Sequence, residues 1–221
     1  MISDYYAQSV SLGTEFQKNN SKNWAGYDVV KYQKHIKNLV DRYQAKTILD
    51  YGCGKGLQYV DHLPYGDDNN PVWTTFDKWL GVTVYKYDPC IEEFQTLPPA
   101  GVKFDGVICS QVLQTIPDQD LPWVSELLRS YTDKFCFISL NFQKQAKSKK
   151  MMYDRTYFAE PRTREFFKQY FKTWPQQKLF WWWKDRMHYD SWIDDQLAGN
   201  WNDIPNEWSG KYSFVETIYQ R

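Results

Sequence analysis

Hydrophobic residues along 27–44 recur every three or four positions: Val29, Tyr32, Ile36, Leu39, Val40 and Tyr43. That is the period of a helix with one apolar face, and it predicts a helix over 27–44. The pattern then switches. Residues 47–51 read TILDY, a short apolar run of strand type, which enters the turn GCGKG at 52–56. A helix is predicted from Leu57. Further strands are predicted over 82–87, 104–109 and 135–140. Between the last two, Leu121, Val124, Leu128 and Tyr131 mark a helix with Asp120 as N-cap and Pro122 in its first turn. Strands alternating with helices predict an α/β fold: a doubly wound, mostly parallel sheet with helices on both faces. Beyond residue 160 the pattern changes again. A helix is expected over 163–171, and strands over 178–183 and 212–219 are expected as an antiparallel pair at the C-terminal edge of the sheet.

Nothing in the chain separates two independent units. There is no repeat, no low-complexity tract and no Gly/Ser linker, so residues 1–221 are expected to form one domain. Residues 1–45 would form an N-terminal helical cap. The turn-rich stretch 64–79, PYGDDNNPVWTTFDKW, is expected as an inserted loop, and 184–211 as an aromatic-rich insertion between the last two strands.

Composition sharpens this picture in three ways. Aromatic residues make up 19% of the chain, with 11 Trp, 17 Tyr and 13 Phe. The mean hydropathy is nevertheless −0.70, because that scale scores Tyr and Trp as polar. Rings of this size bury about 150–250 Å² each, so a core of few, large pieces is expected. Lys plus Arg and Asp plus Glu both number 27, which excludes a strongly basic nucleic-acid binder and an acidic disordered chain. The charge is unevenly placed: residues 144–186 carry 12 basic and 4 acidic side chains, while both flanking segments are net acidic. Third, the four cysteines at 53, 90, 109 and 136 form neither a CxxC pair nor a disulfide framework. No signal segment or membrane-spanning run of about 20 apolar residues is present. A cytoplasmic protein without membrane contact is expected.

The glycine turn carries the chemistry. Alternate glycines let the backbone turn sharply and approach a ligand closely. The spacing is GxGxG, neither the GxGxxG of dinucleotide sites nor a Walker-type loop. Asp50 stands two residues before Gly52, and a carboxylate there disfavours a diphosphate and suits a cation. On these residues, ILDYGCGKG at 48–56 resembles motif I of the class I S-adenosylmethionine-dependent methyltransferases. The resemblance runs over about residues 25–142.

The resemblance implies a Rossmann-like fold, with S-adenosyl-L-methionine as cofactor and S-adenosyl-L-homocysteine as product. It implies that Asp50, Gly52, Gly54 and Gly56 surround the methionine part of the cofactor, with Tyr51 and Cys53 of the same turn also in the cofactor site. Asp88, ending the next strand, would bind the ribose hydroxyls, although an Asp-Pro pair is also an ordinary turn. Pro89 and Cys90 would lie against the adenine edge, and Ser110, Gln111 and Val112 would approach from the loop after the following strand. The chain departs from the family between Asp88 and residue 104: no third strand is evident, and the adenine-side acidic motif is missing, leaving Phe94 as a candidate cover. Trp24 and Tyr27 are candidates to cover the cofactor from the other side. Where many members read EVLEH, this chain reads Gln111-Val112-Leu113-Gln114-Thr115, so no role for that histidine can be transferred. No metal ligand set is evident.

The acceptor is expected to be a small or medium-sized molecule. His188, in the aromatic connection, is the candidate general base; His35 is expected to be structural and His62 exposed on the helix after motif I. Two alternatives stay open. The basic segment 144–186 could serve an RNA or nucleotide acceptor, which the SQVL loop does not favour for DNA chemistry. The neutral SQVLQT stretch could also belong to a cofactor-binding module without catalysis. The oligomeric state is left open.

Overall fold

The structure, a computed structural model, describes residues 3–19, 24–67, 69–140 and 169–170, and the backbone of 213–218. Helix α1 spans Asp4–Asn19. The stretch predicted as one helix divides into a 3-10 segment, Tyr27–Tyr32, and α2, Gln33–Arg42. Gly26, at φ +101, starts the tight segment, and the β-branched pair Val29–Val30 lies within it. Strand β1, Thr47–Tyr51, follows.

The next elements correct the expected reading. In place of a helix from Leu57 there is one 3-10 turn, Leu57–Tyr59, followed by a hairpin of β2, Leu63–Asp67, and β3, Asn70–Thr74. The expected inserted loop is therefore this hairpin plus the short helix α3, Phe76–Leu80. Local chemistry explains the hairpin. Pro64 cannot continue a helix, and Asp67 Oδ1 accepts from the backbone N–H of Asn69 at 2.9 Å, fixing the turn. His62 is exposed, as expected, but sits ahead of β2 rather than on a helix.

Strand β4, Thr83–Tyr87, β5, Phe104–Ser110, helix α4, Leu121–Tyr131, β6, Thr132–Leu140, and β7, Ser213–Ile218, complete the described elements. The sheet order is β4-β1-β5-β6-β7. The first four strands are parallel, and β7 runs antiparallel to β6 at the edge. Between β4 and β5 only the 3-10 turn Glu92–Phe94 forms, so no third strand appears there. The expected strand over 178–183, most of the helix over 163–171, and the basic segment apart from 169–170 lie outside the described residues.

Strand alternation sorts the core into two layers. Ile48 and Ile108 face α2 and α3, packing with Ile36, Leu39, Phe76 and Phe137. Leu49, Tyr51, Val107 and Cys109 face α4, packing with Leu121, Val124 and Leu128. Ile36, Ile48, Leu49 and Leu128 have no exposed surface, and burying such a side chain stabilises the fold by about 1.5–3 kcal/mol each. Asp120 is the N-cap residue of α4, as expected, but its side chain makes no bond to the helix. Its carboxylate accepts from the backbone N–H of Ser3 at 2.9 Å and from Ser3 Oγ at 2.5 Å, which ties the start of α1 to the start of α4.

Parallel register brings the carboxyl ends of β4, β1 and β5 to one edge, where the chain passes to opposite sides of β1. Such a reversal of strand order leaves a crevice outside the strand ends, the usual ligand position in open α/β sheets.

Candidate functional site

A crevice opens at this edge, walled by the glycine turn, the loop after β4, the end of β5 and helix α1. The glycine turn forms its floor. Gly52 has φ +83, and a Cβ there would stand 2.1 Å from Val112 Cγ2. Gly54 has φ +59, and its Cβ would stand 2.2 Å from the carbonyl oxygen of Trp24. Both positions thus combine left-handed backbone with a close approach that only glycine permits. The backbone N–H groups of Gly52 and Cys53 donate to the Tyr87 carbonyl at 2.6 and 3.1 Å, pinning the turn to the end of β4.

Two buried carboxylates flank the turn. Asp50, at the end of β1, is 2% exposed. Its Oδ2 accepts from the Tyr59 hydroxyl at 2.7 Å and from Gln58 Nε2 at 3.1 Å. Burial pushes the Asp50 carboxyl up to about 6; the Tyr59 and Gln58 hydrogen bonds oppose that, and the nearby charge of Asp88 adds to it. Asp88 follows β4. Its Oδ2 accepts from the Gly54 N–H at 3.0 Å and its Oδ1 from the Cys90 N–H at 2.9 Å. Burial raises its carboxyl as well, against those two backbone donors. Asp28, paired with Lys31 at 2.9 Å, is the third acid in the wall. Among the described residues no Lys, Arg or His lines the crevice. Its electrostatics therefore favour a cation and oppose a phosphate.

The structure brings most of the sequence candidates together. Asp50, Tyr51, Gly52, Cys53 and Gly54 line the crevice from the turn, Asp88, Pro89 and Cys90 from the loop after β4, and Ser110, Gln111 and Val112 from the end of β5. Gly56 does not belong to this wall; it backs onto the Phe94 ring and the Lys86 side chain. Phe94 is likewise outside this wall. It is buried beneath the Lys86 ammonium, 4.3 Å from its ring centre. Trp24 does line the crevice, whereas Tyr27 turns away and donates its hydroxyl to Asp61. His35 is buried on α2 against Phe137. Burial pushes the Cys53 and Cys109 thiols up, as befits small buried hydrophobes rather than nucleophiles. His188 and the rest of 184–211 lie outside the described residues. Among the described residues no cluster of His, Cys, Asp or Glu could hold a metal ion.

Two parts of the wall have no signature in the sequence. Helix α1 contributes Tyr6, Ser9, Val10 and Gly13, and the 3-10 turn contributes Gln58. The only sequence signal for α1 was its place in the expected N-terminal cap; nothing marked Gln58.

No protein-family model matches the chain, and no curated protein matches it. Solved structures do. A magnesium protoporphyrin IX methyltransferase from Synechocystis PCC 6803, crystallised with bound SAH, superposes with a TM-score of 0.51 at 12% identity, covering 100% of this chain and 90% of that one. A 1,6-didemethyltoxoflavin-N1-methyltransferase from Burkholderia thailandensis, with bound 1,6-didemethyltoxoflavin and S-adenosylhomocysteine, gives 0.50 at 12% identity, covering 99% and 91%. At such identities the likeness establishes the fold, a Rossmann-like methyltransferase fold.

Proposed function

We propose that the chain is a methyltransferase that binds S-adenosyl-L-methionine in this crevice, transfers its methyl group to a small or medium-sized acceptor and releases S-adenosyl-L-homocysteine. One observation carries the reading: two buried carboxylates flank a glycine turn, in a crevice whose described wall offers no cation. A buried carboxylate without a counter-ion costs stability. A ligand bearing an ammonium and a sulfonium relieves that cost, whereas a dinucleotide would add two more anions.

The residues fit this ligand part by part. Asp50 stands beside Gly52 and Gly54, whose lack of a side chain lets Val112 and the Trp24 carbonyl close against the turn beside the methionine portion. Each Asp88 oxygen accepts one backbone N–H and keeps a lone pair for a ribose hydroxyl. The neutral residues Ser110 and Gln111 at the end of β5 are already ordered: Ser110 Oγ lies 2.8 Å from Ser139 Oγ, and Gln111 Nε2 donates to the same oxygen at 3.2 Å.

When bound, the cofactor supplies an activated methyl group on a positive sulfur. The chain's own part is to hold that group still, to exclude water with α1 and the Trp24 segment, and to align an acceptor lone pair. Alignment near 3–3.5 Å supplies about 7–11 kcal/mol of rate enhancement in well-oriented intramolecular reactions. His188 is retained as the candidate general base for acceptors that lose a proton. The two methyltransferases above act on a porphyrin and a toxoflavin precursor, both flat aromatic molecules. That supports a small-molecule acceptor for this chain.

Calorimetric titration tests the reading. The wild type is expected to bind S-adenosylmethionine in the micromolar range. Asp88→Ala is expected to weaken binding about 10–100-fold, since hydrogen bonds to a charged group contribute roughly 1.5–3 kcal/mol. No wild-type binding at millimolar ligand, or full affinity in the variant, sinks it.

A further inference from the structure

The 3-10 turn Leu57–Tyr59 sends two side chains inward beneath the glycine turn. Both donate to one atom: the Tyr59 hydroxyl reaches Asp50 Oδ2 at 2.7 Å and Gln58 Nε2 reaches it at 3.1 Å. Asp50 Oδ1 receives no hydrogen bond from a described residue, and Asp50 lines the crevice. Gln58 is fully buried and also donates to the Cys53 carbonyl at 3.4 Å, so the pair is anchored to the turn it supports. The Tyr59 ring packs against Phe76, with centroids 6.1 Å apart, which fixes its direction.

We propose that Tyr59 is a positioning residue for the cofactor cation: its hydroxyl, assisted by Gln58, keeps Asp50 ionised with one carboxylate oxygen free for the ligand. The inference rests on the reading of the crevice as an S-adenosylmethionine site. It assigns a role to the segment in which the expected helix is replaced by a single turn.

The other groups near Asp50 do not do this work. Asp88, beyond β4, opposes the ionisation of Asp50. Lys86 stands opposite Asp50 in the β1–β4 register, but its ammonium lies over the Phe94 ring. On β5 the register partner is Ile108, and the neighbouring Cys109 thiol is pushed up by burial, as is the Cys53 thiol in the turn. On α2, the buried His35 ring packs on Phe137. The two donors from the 3-10 turn are thus the groups that favour the charged form. Without the tyrosine hydroxyl, Asp50 holds its proton to higher pH, and a protonated Asp50 does not attract a cation.

The test is Tyr59→Phe in the full chain, titrated calorimetrically with S-adenosylmethionine beside the wild type at two pH values. Relative to wild type, the variant is expected to lose about tenfold in affinity at about pH 6.5 and less than about threefold at about pH 8.5, where Asp50 is ionised in both. Equal losses at the two pH values are what packing damage gives, and they overturn the inference; so does no loss at either. Absence of wild-type binding at both pH values overturns the reading of the crevice and this inference with it, whereas wild-type binding with a parallel variant curve overturns the inference alone. Should circular dichroism show Tyr59→Phe unfolded, Gln58→Leu carries the same test. Its expected loss is about threefold larger at about pH 6.5 than at about pH 8.5, with equal losses at the two or none again overturning the inference.

Discussion

At the amino-terminal edge of the sheet, Asp105 accepts from the backbone N–H groups of Lys46 and Thr47 at 2.7 and 3.0 Å and pairs with Lys134 at 2.7 Å. At the carboxyl-terminal edge, Asp50 and Asp88 are more deeply buried and face no cation in the described wall. The same side chain therefore behaves oppositely at the two ends. Burial pulls Asp105 upward, but the Lys134 hydrogen bond, the two backbone donors and the Lys134 charge outweigh it and hold the carboxyl down to about 2. Asp50 is held up, to about 6. Asp105 locks β1, β5 and β6 together. Asp50 and Asp88 are costs the fold carries, and under the function proposed above a bound cation would offset them.

The strongest way to break this contrast is to fill the floor of the crevice. Gly52→Ala is expected to weaken S-adenosylmethionine binding more than about 100-fold, because its Cβ collides with the Val112 side chain, itself part of the crevice wall, at a left-handed position. Gly81→Ala is the matched control: Gly81 has a similar φ of +74 with open space around its Cβ position. It should cost about 1 kcal/mol of stability and leave calorimetric affinity unchanged. Equal binding losses in both variants would mean that strain, not occlusion, is being measured.

Next comes charge removal at each edge. Asp50→Asn is expected to weaken binding about 10–100-fold while the unliganded protein unfolds at the same or higher urea concentration. Asp105→Ala should do the reverse, losing about 1–2 kcal/mol of stability with affinity within about twofold of wild type.

The two edges also differ in pH dependence. An unfolded aspartate ionises near 3.8, whereas folded Asp50 keeps its proton to about 6. Its ionisation is thus disfavoured by folding, and stability falls as pH rises from about 4 to about 6, by about 3 kcal/mol from this group. Asp88, also raised, contributes with the same sign. Asp105 has the opposite sign: its contribution is present above about pH 4 and is lost as pH falls toward about 2. Urea unfolding across this range should show the Asp50→Asn curve flattened between about pH 4 and 6 and unchanged below. A curve superposing on wild type throughout would place Asp50 in solvent contact.

The central strands were legible because a buried parallel strand is a nearly continuous apolar run, as in TILDY and FDGVIC. The glycine turn and the carboxylate beside it were legible because their chemistry is local. The hairpin was not. Leu57, Gln58 and Tyr59 are acceptable helix residues, and what stops the helix is a tertiary bond from Tyr59 to a carboxylate nine positions away, followed by Pro64. The role of α1 was also hidden. Its placement depends on Ser3 meeting Asp120, 117 residues apart, and such a contact leaves no local pattern. Gly56 holds a motif position, but the fold packs it against Phe94 and Lys86, a contact that leaves no local pattern.

The tie between Ser3 and Asp120 has a practical meaning. Helix α1 is held over the crevice at its first turn by two hydrogen bonds and by the Tyr6 ring set edge-on against Trp123, 5.9 Å away. Trimming the leading residues would do more than shorten the protein: it would unroof the chamber and expose Tyr51, Cys90 and their neighbours to bulk water.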